Sequence, residues 1–173
     1  MSEQAPARTE FSRPVDVARL GGGEEIACDI EANAGECAAL ARRFGLLRLA
    51  RLAARVRLRR LAGGLLRLSA ELSADVVQAC VVTLEPVASR VEDSFSLLYG
   101  RAQGGAGEVV LSGEAELVEP FDDGVIDIGE ATAQQLSLAL DPYPRAPGAA
   151  AAEGRVETAD SPFAALAKLR EKG

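Results

Sequence analysis

The chain has 173 residues, of which 48% are hydrophobic and 26% are charged, a composition typical of one globular domain with additional residues outside its core. It contains no histidine, which excludes Ser-His-Asp and Cys-His nucleophilic sites and histidine-ligated zinc. Its net charge of −7 argues against a nucleic-acid partner held by overall charge alone.

Two strands are predicted near the N-terminus. Residues 1–10 are small and polar, so we expect them to be disordered and to hold no secretory signal. Residues 11–20 alternate apolar and polar side chains and predict an edge strand, where Pro14 is tolerated because one N–H can be spared. Residues 25–31 predict a half-buried strand with apolar positions at Ile26, Cys28 and Ile30.

The first helix is predicted from its two ends. Asn33 is followed three residues later by Glu36, a spacing typical of a capping box at a helix N-terminus. Apolar side chains then recur at helical spacing as far as Gly45, which predicts the C-terminus. The apolar face would consist of Cys37, Leu40, Ala41 and Phe44.

The clearest pattern in the sequence is an arginine-rich hairpin. The even positions from 52 to 58 are apolar, and most odd positions from 51 to 59 are arginines, so these arginines share the outer face of one strand. Residues 62–64 form the turn, and residues 65–75 repeat the alternation. The inward positions of the hairpin would be Leu52, Ala54, Val56, Leu58, Leu66, Leu68, Ala70 and Leu72.

A three-residue loop would pair Leu61 with Leu65 and thereby set the register of the hairpin. That register pairs Arg51 with Asp75, Arg55 with Glu71, Arg57 with Ser69 and Arg59 with Arg67. Arginines near the turn then have no acidic neighbours, and like charges directly opposite destabilise a sheet, which suggests a use outside the fold. The candidate nucleic-acid-binding residues are Arg57, Arg59, Arg60 and Arg67, with Arg43 and Arg48 nearby. The alternative interpretation is a solvated strand surface.

The second half of the chain predicts more strands and another helix. Residues 76–84 would prolong the return strand to a turn at Glu85 and Pro86, and a further strand would carry Val91, Phe95, Leu97 and Tyr99. Residues 109–118 predict one strand, and residues 121–124 a turn. Residues 129–140 predict a helix, stopped before Pro142 because the residue before proline avoids the helical region.

These patterns predict an α+β fold. It would have a mostly antiparallel sheet with a central Arg-rich hairpin, two main helices and a short C-terminal helix on a flexible tail. Residues 11–144 would be the single domain and residues 145–160 a linker with too few large apolar groups to order. Residues 161–171 would form the short helix, whose apolar face could dock in a groove of a partner protein. That face consists of Phe163, Leu166 and Leu169.

No catalytic or cofactor motif is present in the sequence. The glycine-rich stretches match neither a phosphate-binding loop nor a dinucleotide fingerprint, and the acids around residue 127 lack the spacing of a calcium loop. Cys28, Cys37 and Cys80 contain no C-x-x-C pair, and core packing is favoured over reactivity for each. We therefore expect no enzyme activity, no cofactor and no metal.

Four segments carry a resemblance to a known family. Residues 78–87 read QACVVTLEPV, residues 123–130 DGVIDIGE, residues 134–144 QQLSLALDPYP, and residues 161–169 SPFAALAKL. In this order they resemble the YceD family, named for large ribosomal RNA subunit accumulation, and the last looks like the tail of its alphaproteobacterial members. Many relatives have a cysteine-rich segment that could hold a metal where this sequence has residues 144–148.

The resemblance implies a bacterial cytoplasmic factor needed for normal accumulation of large-subunit ribosomal RNA, and it implies no enzyme activity. The arginine pattern adds the hypothesis that the protein binds this RNA or its precursor particle through phosphates. The alternative is a protein-binding adaptor that meets a basic ribosomal protein through its acidic surface or C-terminal helix. No membrane and no small-molecule substrate are expected.

Overall fold

The computed structural model describes residues 9–18, 20–101, 107–111, 114–121 and 124–149. These residues contain eight strands and two α-helices: β1 (Pro14–Asp16), β2 (Glu25–Glu31), α1 (Ala34–Phe44), β3 (Arg48–Arg60), β4 (Leu66–Ala79), β5 (Pro86–Arg101), β6 (Gly107–Leu111), β7 (Glu114–Phe121), β8 (Val125–Asp127) and α2 (Ile128–Ala139). The predicted C-terminal helix and most of the predicted disordered N-terminus lie outside the described residues.

Six strands form one sheet in the order β2-β3-β4-β5-β7-β6, and β1 pairs with β8 in a separate two-stranded sheet. All neighbouring pairs are antiparallel except β5 and β7, which are parallel. Helix α1 contacts β3, and α2 contacts β4, β5 and β1. The α+β class and the mostly antiparallel sheet predicted from the sequence are confirmed.

The turn between β3 and β4 sets the register of the sheet. The Leu61 N–H donates to the Leu65 carbonyl at 2.8 Å, as the three-residue loop predicts. Gly63 and Gly64 have φ of +74° and +80°, a region that residues with a Cβ rarely adopt. The four pairs predicted from this loop, from Arg51 with Asp75 to Arg59 with Arg67, are all present.

The core lies between one face of the large sheet and the two helices. The even positions from 52 to 58 in β3 and from 66 to 76 in β4 are buried, as the alternation predicts, and Leu40 of α1 and Leu136 of α2 are fully buried against them. Burial of a side chain of this size contributes about 1.5–3 kcal/mol. The sheet positions in this core include Leu52, Val56, Leu58, Leu66, Leu68 and Leu72.

The capping box at Asn33 is confirmed. The Glu36 N–H donates to Asn33 Oδ1 at 3.0 Å, and the Asn33 N–H donates to Glu36 Oε2 at 2.8 Å. Gly45 ends the helix with φ of +67°. Glu36 also forms an ion pair with Arg13 at 2.7 Å, so the cap ties the N-terminal segment to α1.

Several predicted element boundaries were wrong. The strand predicted for residues 11–20 spans only Pro14–Asp16. Strand β4 ends at Ala79 instead of continuing to residue 84, because the backbone turns at Cys80, whose Sγ accepts the Val82 and Thr83 N–H groups at 3.4 Å. The valines and leucine that follow are exposed, so their hydrophobicity did not indicate a strand.

Two further strands were not predicted. Residues 109–118 were predicted as one strand, but β6 and β7 are two antiparallel strands, with Ser112 and Gly113 between them in the sequence. The three-residue β8 was not predicted either, because it forms only by pairing with β1, more than a hundred residues earlier.

No helix in the described residues is long and apolar enough to cross a membrane.

Candidate functional site

The outer face of the large sheet carries five arginines of β3: Arg48, Arg51, Arg55, Arg57 and Arg59. Strand β2 lies beside β3, so the carboxylates of β2 stand next to these arginines. Arg51 Nε donates to Glu31 at 3.0 Å, and Arg55 Nε donates to Asp29 at 3.1 Å. Both pairs are solvent-exposed, and such pairs contribute little to stability, but they neutralise two of these five arginines.

Charge on this outer face is nearly balanced across β2, β3, β4 and β5. The strand register places seven arginines and six carboxylates there. They are Arg48, Arg51, Arg55, Arg57, Arg59, Arg67 and Arg90 with Glu25, Asp29, Glu31, Glu71, Asp75 and Glu92. A uniformly basic surface is therefore absent from this part of the described chain. The arginines that matter for anion binding are those without a carboxylate beside them.

Arg57 is such an arginine. Its neighbours on the two adjacent strands are Ala27 and Ser69, neither of which is charged. The side chain is exposed, and within the described ranges it has no carboxylate partner. Arg57 can therefore offer its full guanidinium fork to an external anion.

Arg59 lies next to Arg57 on the same face and is also exposed. The hairpin register predicted from the sequence gave Arg59 no acidic neighbour. In the structure, Glu25 of β2 lies directly opposite Arg59. No ion pair between them within 4 Å is formed, whereas Arg51 and Arg55 are both paired in the described sheet. Arg57 and Arg59 thus form the exposed basic tip of the hairpin.

Arg60 and Arg67 are less accessible than their neighbours at the tip. Arg60 lies at an inward position of β3, and its Nη2 donates to the Val17 carbonyl at 2.5 Å. Its Nε is buried and makes no hydrogen bond to a described residue. Arg67 is half-buried, with Arg59 and Leu98 as its register partners. These positions favour a structural role for Arg60.

Arg43 and Arg48 lie apart from the tip. Arg43 donates to Glu130 at 2.7 and 2.9 Å and to Glu10 at 3.0 Å, which joins α1 to α2. The hydrogen bonds to Glu130 raise the pKa of Arg43 above its usual value, burial opposes this rise, and the charge of Glu130 and the contact with Glu10 add to it. Arg48 is exposed, but about 30 Å of strand separate it from Arg57. The structure does not bring the six candidates together.

A row of serines beside Arg57 was not predicted as functional. An open depression of about 340 Å³ is lined by Ser69 of β4 and by Ser94 and Ser96 of β5, together with Arg55, Arg57 and one carboxylate, Glu71. The alternation of Ser94 and Ser96 in β5 could have indicated this row from the sequence, because alternate positions of a strand share one face. Hydroxyl and guanidinium donors together suit phosphate oxygens.

Cys80 is buried as predicted, but its surroundings are polar. Its Sγ accepts N–H groups from Val82, Thr83 and Ala146 at 3.4, 3.4 and 3.3 Å. Hydrogen bonding from the Thr83 side chain and from these N–H groups lowers the pKa of Cys80 to about 6. Burial instead raises the pKa of Cys28 and Cys37 above the usual value. These hydrogen bonds favour the thiolate form of Cys80.

In residues for which placement is described, no group of three or more acidic, cysteine or histidine side chains could hold a metal ion. The predicted partner-binding residues Phe163, Leu166 and Leu169 lie outside the described residues.

A known protein family matches most of the second part of the chain. The family described as large ribosomal RNA subunit accumulation protein YceD matches residues 68–170, more than half of the chain. The match begins within β4, so it includes the four segments that carried the resemblance and omits the arginines of β3. No curated protein and no solved structure matches the chain. From the extent of the family match, this chain belongs to the YceD family.

Proposed function

We propose that this protein is a non-enzymatic cytoplasmic factor that supports the accumulation of large-subunit ribosomal RNA by binding RNA phosphates through the β3–β4 hairpin tip. The family supports the link to this RNA. The observation that carries the RNA contact is the exposed Arg57, which has uncharged neighbours on both adjacent strands. Arg59 provides a second exposed guanidinium on the same face.

The chemistry of the tip favours backbone contact over base reading. Arginine forks and serine hydroxyls donate to phosphate oxygens without distinguishing the bases. Phe95, the aromatic residue that lines the depression, is half-buried and offers little area for base stacking. The contact would therefore depend on the RNA backbone and its shape, and it would weaken as salt is added.

The experiment compares two charge-matched double variants. Arg57→Gln with Arg59→Gln removes the exposed guanidiniums. Arg51→Gln with Arg55→Gln removes the same charge from the same strand face, where the arginines are already paired with acids. Binding of each protein to large-subunit ribosomal RNA is measured by filter retention between 50 and 300 mM salt.

We expect the tip variant to bind at least about tenfold more weakly and to reduce the slope of log affinity against log salt by about 1.5. The control variant should stay within about threefold of the unaltered protein, because its arginines already interact with carboxylates. Equal losses of RNA affinity in both variants would show that net charge alone causes the effect. Unchanged binding by the tip variant would refute the proposal.

A protein-binding adaptor is the second candidate function. One observation favours it: an open acidic depression between β5 and the end of α2, lined by Glu92, Asp93 and Asp141 with Arg90. Such a surface suits a basic ribosomal protein. If Glu92→Gln with Asp93→Asn abolishes co-sedimentation with large-subunit particles while the tip variant does not, the adaptor function replaces the RNA contact.

A further inference from the structure

One end of the fold exposes a cluster of apolar side chains. Val81, Val82 and Leu84, in the turn between β4 and β5, are 49%, 37% and 76% exposed, and Tyr143 is 71% exposed. The Val81 N–H donates to the Pro144 carbonyl at 2.9 Å, so the segment that carries Tyr143 lies against this turn. Apolar side chains grouped in this way on a surface are typical of an interaction site.

The backbone of Leu84 is strained as well as exposed. Its φ is +62°, and no other described residue except glycine has a positive φ. Bulky side chains rarely adopt this region, and strained conformations concentrate at functional positions. The turn holds it in place, since the Leu84 N–H donates to the Cys80 carbonyl at 2.9 Å and the Cys80 N–H donates to the Glu85 carbonyl at 2.8 Å.

The described part of the chain stops beside this cluster. The Ala146 N–H donates to Cys80 Sγ at 3.3 Å, and Ala149 is the last described residue. The sequence continues with residues 150–160 and then with the predicted amphipathic segment 161–171. Eleven extended residues span up to roughly 35–40 Å, so this segment can reach any part of the cluster.

Charge at the two sites is also complementary. Residues 161–173 contain Lys168, Arg170 and Lys172 against Glu171, which leaves a positive segment. Glu85 and Asp141 are exposed beside the apolar cluster, partly offset by the exposed Arg145. A short tether of this kind gives an effective concentration of about a millimolar, so even a weak contact would be well populated.

We propose that residues 161–171 bind the apolar end of their own chain, with Phe163, Leu166 and Leu169 against Val81, Val82, Leu84 and Tyr143. This contact is separate from the hairpin tip and does not depend on the proposed RNA binding. It keeps the segment on the fold, and any partner that takes the segment must compete with Leu84 for it.

Hydrogen exchange of the full chain tests the contact. Amides of residues 161–171 should exchange about tenfold or more slowly than those of a synthetic peptide of residues 158–173. Leu84→Asn removes the apolar side chain and places there a residue that tolerates positive φ, so the fold should survive. In this variant the segment should exchange within about threefold of the peptide. Val125→Thr, which alters an exposed valine elsewhere, should leave the protection unchanged.

Amides of β3 and β4 provide the folding control, and they should exchange equally slowly in all three proteins. Peptide-like exchange of residues 161–171 in the unaltered chain would overturn the proposal. Protection that survives Leu84→Asn would place the segment elsewhere and would also overturn it. Protection that disappears on dilution, with a dimer seen by sedimentation, would assign the cluster to a second copy and reject the intramolecular contact.

Discussion

Gly129, in the first turn of α2, lies directly against the N-terminal segment. A Cβ at this position would stand 2.6 Å from the Phe11 carbonyl oxygen and 2.9 Å from the Arg13 nitrogen. Both atoms belong to backbone that is fixed by the burial of Phe11 and by the bond from the Arg13 N–H to Asp127 at 2.7 Å. This glycine is therefore required by space and not by an unusual φ.

We predict that Gly129→Ala lowers the free energy of unfolding by about 1–3 kcal/mol, because the backbone must shift to admit the methyl group. Alanine otherwise favours helices over glycine, so an effect of propensity alone would have the opposite sign. Urea unfolding followed by circular dichroism measures the difference. Gly22→Ala is the control, since a Cβ there meets nothing within 4 Å and its effect should be below about 0.5 kcal/mol.

At the scale of elements, local patterns predicted what local interactions decide. Helix α1 was bounded correctly because Asn33, Glu36 and Gly45 act within a few residues of themselves. The β3–β4 register followed from one three-residue loop. The end of β4 was wrong because a cysteine sulfur and Ala146, far along the chain, stabilise the turn at Cys80.

The capping box gives a prediction for one element. Asn33→Ala removes the acceptor for the Glu36 N–H and should lower the free energy of unfolding by about 1 kcal/mol. Asn33→Ser keeps an acceptor and should cost less than half as much. Equal effects of the two substitutions on urea unfolding would show that the side-chain cap does not stabilise α1.

At the scale of the whole molecule, the candidate site depends on the order of strands. The sequence identified an outer row of arginines, but it could not show that β2 lies beside β3 and pairs Glu31 and Asp29 with two of them. Nor could it show that Arg43 joins α1 to α2. Arg57 remains a candidate for binding an anion because its cross-strand neighbours, Ala27 and Ser69, carry no charge.

The free energy of unfolding should depend on pH near neutrality, although few groups of this chain titrate there. The chain has no histidine, and the carboxylates whose pKa values are lowered, among them Glu36, Glu130 and Asp127, act only in acid. Cys28 and Cys37 have raised pKa values, so their ionisation affects stability only above about pH 9. Cys80, with its pKa lowered from 9.0 to about 6, is left to act between these limits.

A pKa that is lower in the folded state means that the unfolded chain binds more protons at Cys80, so stability rises with pH. The stabilisation should be complete above about pH 9 and lost as the pH falls through about 6. We therefore expect the urea midpoint under reducing conditions to increase from pH 6 to pH 8.5. Cys80→Ser keeps an acceptor that does not ionise here, and it should flatten this increase, whereas Cys37→Ser should preserve it. An unchanged slope in Cys80→Ser would mean that Cys80 stays protonated, and the β4–β5 turn would then be held by a neutral thiol.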